Sequence, residues 1–515
     1  MKKKVLIISA SLAILIAYLS FEVQWAPDIP KVWDEEKLRT AQLPLVDQSV
    51  IVKQVSEEYY YKMPERIAYK NYPFYMPGRE PKGYYEWLRK QEPEIIFDPV
   101  TLKTEADWIK AGESIYDLPQ NLLVFDSSLI RQLPELGESW KQIGVPVTKE
   151  GIIPFVSIVV REKGKIELGD FSCGMCHNKL MPDGKLLKGG QGNYPFNKNL
   201  QSVFDMNFAA FVRSGADLKT APASMIGMKD FLFKLLFVAP WIKHESQERL
   251  KDLDLETTIK EFQAVPAGAV HRHGSNVGSP TAIPDLFHLE ERKYFDHTGA
   301  IRQRDIGDLM RYATLNQEAD FLNDYEGFIP LERIQDPAKG IITRFTDEQL
   351  YALAKFIYSL KPPTNPVVYP KALLAKGELI FKEQGCVTCH TPPLYSNNKL
   401  TPVDGFEPPE DHFTKYDIFN ISVETDPGLA LYTRRGTGYY KVPSLIGVWN
   451  RTAFLHSGYL LNLEDLLDTN RLNADYIPTG YKPPWLKTMA VKGHEFAMEL
   501  SETDKKALVA FLKSL

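Results

Sequence analysis

Cys173-Gly174-Met175-Cys176-His177 and Cys386-Val387-Thr388-Cys389-His390 decide how this chain is read. Each pairs two cysteines three positions apart with a histidine directly after the second. That is the C-x-x-C-H pattern of covalent haem attachment. Two thiols at this separation reach the two vinyl groups of one haem and form thioethers, and the histidine that follows faces the iron. No cysteine is left over, since the chain has only four. A zinc site would take all four thiolates without needing either histidine, and a disulfide or redox dithiol would need neither. With 10 histidines in 515 residues, chance puts one after both motifs roughly 4 times in 10,000. Two covalently bound haem c groups are expected. Cys173, Cys176 and His177 hold haem 1, and Cys386, Cys389 and His390 hold haem 2.

Working outward, the chain repeats itself around the two motifs. Ala352-Leu353-Ala354-Lys355-Phe356-Ile357-Tyr358-Ser359-Leu360 recurs as Ala507-Leu508-Val509-Ala510-Phe511-Leu512-Lys513-Ser514-Leu515, at an offset of 155. Both have an acidic first turn and apolar residues at helical spacing, and Ser501 is placed to cap the second. Pro284-Asp285-Leu286 with Arg292, Phe295, His297 and Gly299 recurs as Pro443-Ser444-Leu445 with Arg451, Phe454, His456 and Gly458. Gly112-Glu113-Ser114-Ile115-Tyr116 opens the first unit as Gly377-Glu378-Leu379-Ile380-Phe381 opens the second. Phe381 lies five residues before Cys386 and Tyr116 lies 57 before Cys173, so the first unit carries an insertion of 52 residues. The fold expected is mainly α: two helical haem domains in tandem, at 101–361 and 371–515, with long loops. The join, Lys361-Pro362-Pro363-Thr364-Asn365-Pro366-Val367-Val368-Tyr369-Pro370, is too proline-rich for helix or central strand. Residues 22–100 form a Pro- and Tyr-rich extension, with Tyr59, Tyr60, Tyr61, Tyr69, Tyr72, Tyr75, Tyr84 and Tyr85. Surface packing with wet hydroxyls is the reading favoured there over a redox relay.

The chain is 44% hydrophobic and 25% charged, a globular balance that excludes wholesale disorder. A net charge of -5 and a pI of about 6.1 argue against nucleic-acid binding, which needs a basic excess. The mean hydropathy of -0.26 excludes a multi-span membrane protein. Lys2, Lys3 and Lys4 precede an uncharged run over 5–21. Residues 1–21 are thus an export signal, either an uncleaved anchor, favoured because no A-x-A site is obvious after it, or a cleaved signal peptide. It places the rest of the chain outside the cytoplasm, in the periplasm or an equivalent space, tethered to the inner membrane. Thioether haem attachment fits that compartment.

In cytochrome domains the second axial ligand usually comes from the loop before the C-terminal helix. In the second unit that loop holds His494, the leading candidate, with Met498 and Met489 as alternatives. Two histidines on one iron give a lower potential than histidine plus methionine. The same offset from His494 lands on Lys339, in a stretch with no His, Met or Cys. Haem 1 therefore takes an unusual ligand or has an open sixth position. His244, His271, His273 and His288 are the other first-unit candidates, His271 and His273 sitting in a glycine-rich loop. His297 and His456 recur at equivalent positions and read as structural. Arg292 and Arg451 could pair with haem propionates.

At these residues the chain resembles the di-haem cytochrome c peroxidase superfamily. The resemblance rests on both C-x-x-C-H motifs, on Tyr440-Lys441-Val442-Pro443-Ser444-Leu445, and on Phe454-Leu455-His456-Ser457-Gly458 followed by Leu463-Glu464-Asp465-Leu466-Leu467. It covers about 100–515 and implies cytochrome c-like folds. Within the superfamily the chain is most similar to the rubber-oxygenase branch, through its wide motif spacing and Gly493-His494-Glu495-Phe496. The resemblance implies His494 as second ligand of haem 2 and His177 as sole protein ligand of an oxygen-binding haem 1. Phe287, Tyr294 and Phe295 are candidates to line the pocket of haem 1. The function expected is an oxidoreductase in which haem 1 activates dioxygen or peroxide and haem 2 handles electron transfer, with a redox partner protein or a small-molecule oxidant as its partner. A membrane-tethered electron carrier and a cytochrome c peroxidase are the alternatives.

Overall fold

In the computed structural model, residues 27–125, 127–198, 223–317, 319–340 and 342–515 are described. The apolar run over 5–21, expected as an anchor, lies outside them. Among the described residues no helix is long and apolar enough to cross a membrane.

The elements that position the site are a strand β1 (Asn71–Tyr75), a helix α1 (Glu105–Tyr116), strands β2 (Asn121–Val124), β3 (Ile152–Glu162) and β4 (Lys165–Asp170), and a short helix α2 (Cys173–His177). Then come helices α3 (Leu255–Ala264), α4 (Ile306–Asn316), α5 (Asp347–Ser359), α6 (Lys371–Glu383) and α7 (Glu502–Ser514). The Ser501 cap expected from sequence is in place, and its repeat counterpart α5 carries a cap of its own. Ser501 accepts from the Asp504 amide at 3.2 Å, and Thr346 and Gln349 form a reciprocal capping box on α5.

Helices α1 and α5 cross in direct contact, as do α6 and α7. The repeated glycines mark both crossings. A Cβ on Gly112 would stand 1.9 Å from the Ala352 carbonyl oxygen, and one on Gly377 would stand 2.1 Å from that of Ala507. Only a residue without a side chain lets the backbones approach so closely. Around the first crossing, Trp108, Ile115, Leu353 and Phe356 form a core that also takes in Trp33, Val55 and Tyr60 of the N-terminal extension.

The insertion departs from the mainly-α expectation. It folds into an antiparallel sheet of order β1-β3-β4-β2, whose first strand comes from the extension. In β3 the alternating Ile153 and Phe155, and beyond a break in the alternation Ile158 and Val160, are buried in a second core with Phe74 and Trp140. No second copy exists in the repeat, so periodicity gave this sheet no signal. The extension is also more internal than surface packing implies. Tyr60 is buried and stacks on Trp33 at 4.4 Å, and the Tyr61 hydroxyl donates to Asp347 at 3.0 Å.

Candidate functional site

The two motifs sit where separate cores meet. Cys173 packs on the core of the first helix pair, and Cys176 packs on the sheet core. Cys386 and Val387 pack on the core of α6 and α7. The first motif follows β4 directly. Ser172 caps α2 by accepting from the Met175 amide, and the Tyr116 hydroxyl braces Asn178 at 3.1 Å. Gly192 lies against this turn, donating to the Cys176 carbonyl at 2.9 Å. A Cβ there would come within 2.1 Å of that oxygen.

The four cysteines form no disulfide. Burial pushes the Cys173 thiol up to about 12 and that of Cys176 to about 11. Neutral thiols are poor metal ligands, and among the described residues no cluster of His, Cys, Asp and Glu could hold a bare metal ion. The imidazoles behave oppositely. Burial drives His177, His390 and His494 down to about 4, so each is the free base that metal ligation requires. His390 Nδ1 donates to the Tyr395 carbonyl at 3.1 Å, and the Pro443 carbonyl also faces that ring. At the first motif the equivalent acceptor is the Pro284 carbonyl, although His177 Nδ1 completes no hydrogen bond. The repeated Pro-x-Leu stretch thus supplies each motif histidine with a backbone acceptor, a role that its sequence pattern alone does not reveal.

His390 and His494 face each other with ring centroids 6.3 Å apart. Two metal–imidazole bonds of about 2 Å, with roughly 1 Å from each nitrogen to its ring centre, span that gap. The loop that presents His494 is tightly held. Gly493 has φ +76°, and a Cβ there would lie 2.3 Å from the backbone of Glu424 and Thr425. The His494 amide donates to the Val423 carbonyl at 2.6 Å. Fully buried Arg471 donates to the carbonyls of Leu466, Val491, Gly493 and His494, and to the Met498 sulfur at 3.7 Å. Met498 is thereby occupied, and Met489 packs into the core of α6 and α7. Sequence reasoning misses Arg471, because nothing in its spacing relates it to His494.

No such partner faces His177 among the remaining histidines. His271 Nε2 is 3.0 Å from Glu261, and His273 Nδ1 is 3.1 Å from Asp320. His244 accepts from the Ser246 amide, and His288 pairs with Glu291. His297 Nε2 donates to the Ala282 carbonyl at 2.6 Å. His456 stacks on Tyr440 with Asp426 at 3.7 Å. The structural reading of that repeated pair fits these contacts. Arg292 and Arg451 both bind Asp285, at 2.5 and 2.7 Å, and Arg292 Nε is buried without a partner.

Other cations surround the first motif. Arg272, whose charge bears on Cys176 and His177, binds Asp296 at 2.8 Å and Asn316 at 3.0 Å. Arg435 shares Asn316 at 3.3 Å, and Lys441 is held down to about 8 by burial and the nearby Arg292 and Arg451. This cationic cluster suits a cofactor that brings its own carboxylates, as haem does through its propionates. Gln317 donates to Cys173 Sγ at 3.9 Å, and its Oε1 is buried without a partner. Of the three aromatic pocket candidates, Phe295 stands here, stacked on Tyr312 at 5.2 Å. Tyr294 instead bonds Asp417, and Phe287 packs beneath Gly447. The residues present therefore fit covalently held haem at both motifs.

No family model and no curated protein matches the sequence. Among solved structures, a hydrazine synthase of Kuenenia stuttgartiensis aligns at 14% identity and TM-score 0.29, over 57% of this chain and 88% of its own. A MauG-like protein associated with microbial copper homeostasis aligns at 16% identity and TM-score 0.28, over 47% of this chain and 74% of its own. A di-haem peroxidase from Burkholderia thailandensis aligns at 14% identity and TM-score 0.26, over 88% of this chain and 94% of its own. Likenesses this loose carry no argument for fold or function, and the reading of the site stands on its own residues.

Proposed function

We propose that the chain is a di-haem c-type oxidoreductase working outside the cytoplasm, tethered by its N-terminal apolar run. Its two haem domains, 101–361 and 371–515, differ in task. Cys173 and Cys176 hold haem 1, with His177 as its one protein ligand. Cys386 and Cys389 hold haem 2 between His390 and His494. The observation that carries this reading is the asymmetry of the two histidines. His390 has a second imidazole across 6.3 Å, whereas His244, His271, His273 and His288 each turn one ring nitrogen to another partner and, among the described residues, none makes a ring contact with His177.

Haem with an open axial position binds dioxygen or peroxide, and bis-histidine haem exchanges electrons without substrate. The chain's own residues set those roles. Arg471 and Gly493 hold His494 in place, so the second site stays closed. Arg272 and Arg435 receive carboxylates at the first site, and Gln317 offers a free amide oxygen beside Cys173. Phe295 stacks on Tyr312, whose hydroxyl reaches the same Asp296 that holds Arg272.

The test is a visible and EPR spectrum of the ferric haem-loaded protein, then of the ferrous protein with carbon monoxide. One high-spin haem that binds carbon monoxide beside one low-spin haem that does not is the expected result. Two low-spin haems, neither reacting, would make the chain an electron carrier and overturn the catalytic role of haem 1.

A further inference from the structure

Three titratable side chains outside the haem motifs meet in a region sealed from solvent. Glu261 on α3 and His271 are each 1% exposed, and Tyr481 is 0% exposed. Glu261 Oε1 accepts from the Tyr481 hydroxyl at 2.5 Å, from His271 Nε2 at 3.0 Å and from the Gly278 amide at 2.9 Å. Glu261 Oε2 and His271 Nδ1 have no partner. Among the described residues, His271 is the one basic side chain that pairs with this carboxylate.

The position of the triad matters as much as its bonding. The His271 ring packs on Phe237 and Phe262, which belong to the core holding Met175 and Cys176. Tyr481 belongs to the core holding Cys386 and Val387. The triad therefore joins the surroundings of the two haem motifs. Tyr459 continues it, with its ring 6.2 Å from that of Tyr481.

A buried carboxylate without a full counter-charge is costly. So is a phenol that loses an electron and keeps its proton, because the cation is stranded at low dielectric. A base at hydrogen-bond distance removes both costs at once. The phenolic proton passes to the carboxylate, and the site gives up one negative charge with the departing electron.

We propose that Tyr481 is a proton-coupled one-electron donor between the two haem sites, with Glu261 as the base that takes its proton and His271 as the residue that orients Glu261. The proposal rests on reading both motifs as haem sites. In the step, the Tyr481 O–H bond breaks and an O–H bond forms on Glu261, which becomes a neutral acid. The electron goes to a haem iron oxidised by hydrogen peroxide. The peroxide takes two electrons and two solvent protons and leaves as two waters. The second electron comes from the other iron, which passes from ferrous to ferric.

The haem-loaded, full-length protein, reduced by one electron, is mixed with one equivalent of peroxide and freeze-quenched for EPR. A parallel ferric sample is oxidised by flash-generated tris(bipyridine)ruthenium(III). The unaltered protein is compared with Tyr481→Phe and Glu261→Gln, whose resting haem spectra and thermal unfolding check that they fold. Tyr481→Phe removes a single oxygen and remains decisive if Glu261→Gln does not fold. A tyrosyl signal that falls at least tenfold in Tyr481→Phe, and falls or broadens in Glu261→Gln, supports the relay. A signal of equal size in Tyr481→Phe, or none after either oxidant, overturns it. Haem spectra that ignore peroxide would defeat the peroxide-activating role of haem 1, and the ruthenium sample would then decide the relay alone.

Discussion

Arg471 turns its guanidinium onto four main-chain carbonyls and has no carboxylate within ion-pair distance among the described residues. Three of those carbonyls belong to the segment that presents His494. Arg471→Ala leaves them buried without donors, at a cost of about 3 kcal/mol or more. The low-spin signal of haem 2 is expected to weaken or turn high-spin, read by EPR beside a thermal melt. Gly493→Ala tests the same loop from its other side. The residue needs φ +76° and has backbone atoms 2.3 Å from where a Cβ would stand. We expect a loss of about 1–3 kcal/mol and displacement of His494, whereas Lys492→Ala, on an exposed neighbour, leaves the spectrum unchanged. At this scale the proposed ligands are legible in the sequence, because C-x-x-C-H and the Gly-His pair are local patterns. Arg471 is not, because its work depends on a contact 20 residues away.

Among elements, the two helix crossings are the most legible. Gly112 and Gly377 stand at matching positions of the repeat, and the offset of 155 relates their partner helices within the sequence itself. The cause of each crossing is steric, so a methyl group should be felt. Gly377→Ala places a carbon 2.1 Å from the Ala507 carbonyl oxygen. Overpacking of this kind costs about 1–3 kcal/mol, and a lower midpoint in urea unfolding is the expected readout. The four-stranded sheet is illegible for a different reason. Its strands lie in an insertion that the second unit lacks, and its edge strand β1 comes from a proline- and tyrosine-rich segment far upstream. A pairing between such distant pieces leaves no period to read.

Across the whole molecule, the units are held by shared side chains rather than by the linker alone. Gln191 donates to the carbonyls of Ile283 and Ala453 and accepts from the amides of Thr452 and Ala453. The linker is pinned too, with Pro363 accepting from Trp449 and Asn365 donating to the Lys513 carbonyl. A chain nicked between 361 and 370 should therefore run as one species in size-exclusion chromatography, and separation of two halves would contradict this. Asp285 adds a pH signature. Burial raises its carboxyl, but Arg292 and Arg451 outweigh that and hold it at about 2, below the ordinary 3.8. Between those values the unfolded chain binds a proton that the folded chain refuses. Stability therefore rises with pH through that window and is lost as pH falls from about 4 to 2, by about 2 kcal/mol in all. Asp285→Asn should flatten this slope in urea titrations while lowering stability at neutral pH.

That carboxylate also says something about how the two halves can change over generations. The repeat places Arg292 and Arg451 in matching positions, yet Asp285 has only Ser444 as its counterpart. Ser444 uses its hydroxyl on the Leu394 carbonyl. One acid thus serves both copies of the arginine. A change at 285 therefore strips both arginines of their carboxylate at once, so the two copies of this motif depend on one residue that only the first of them carries.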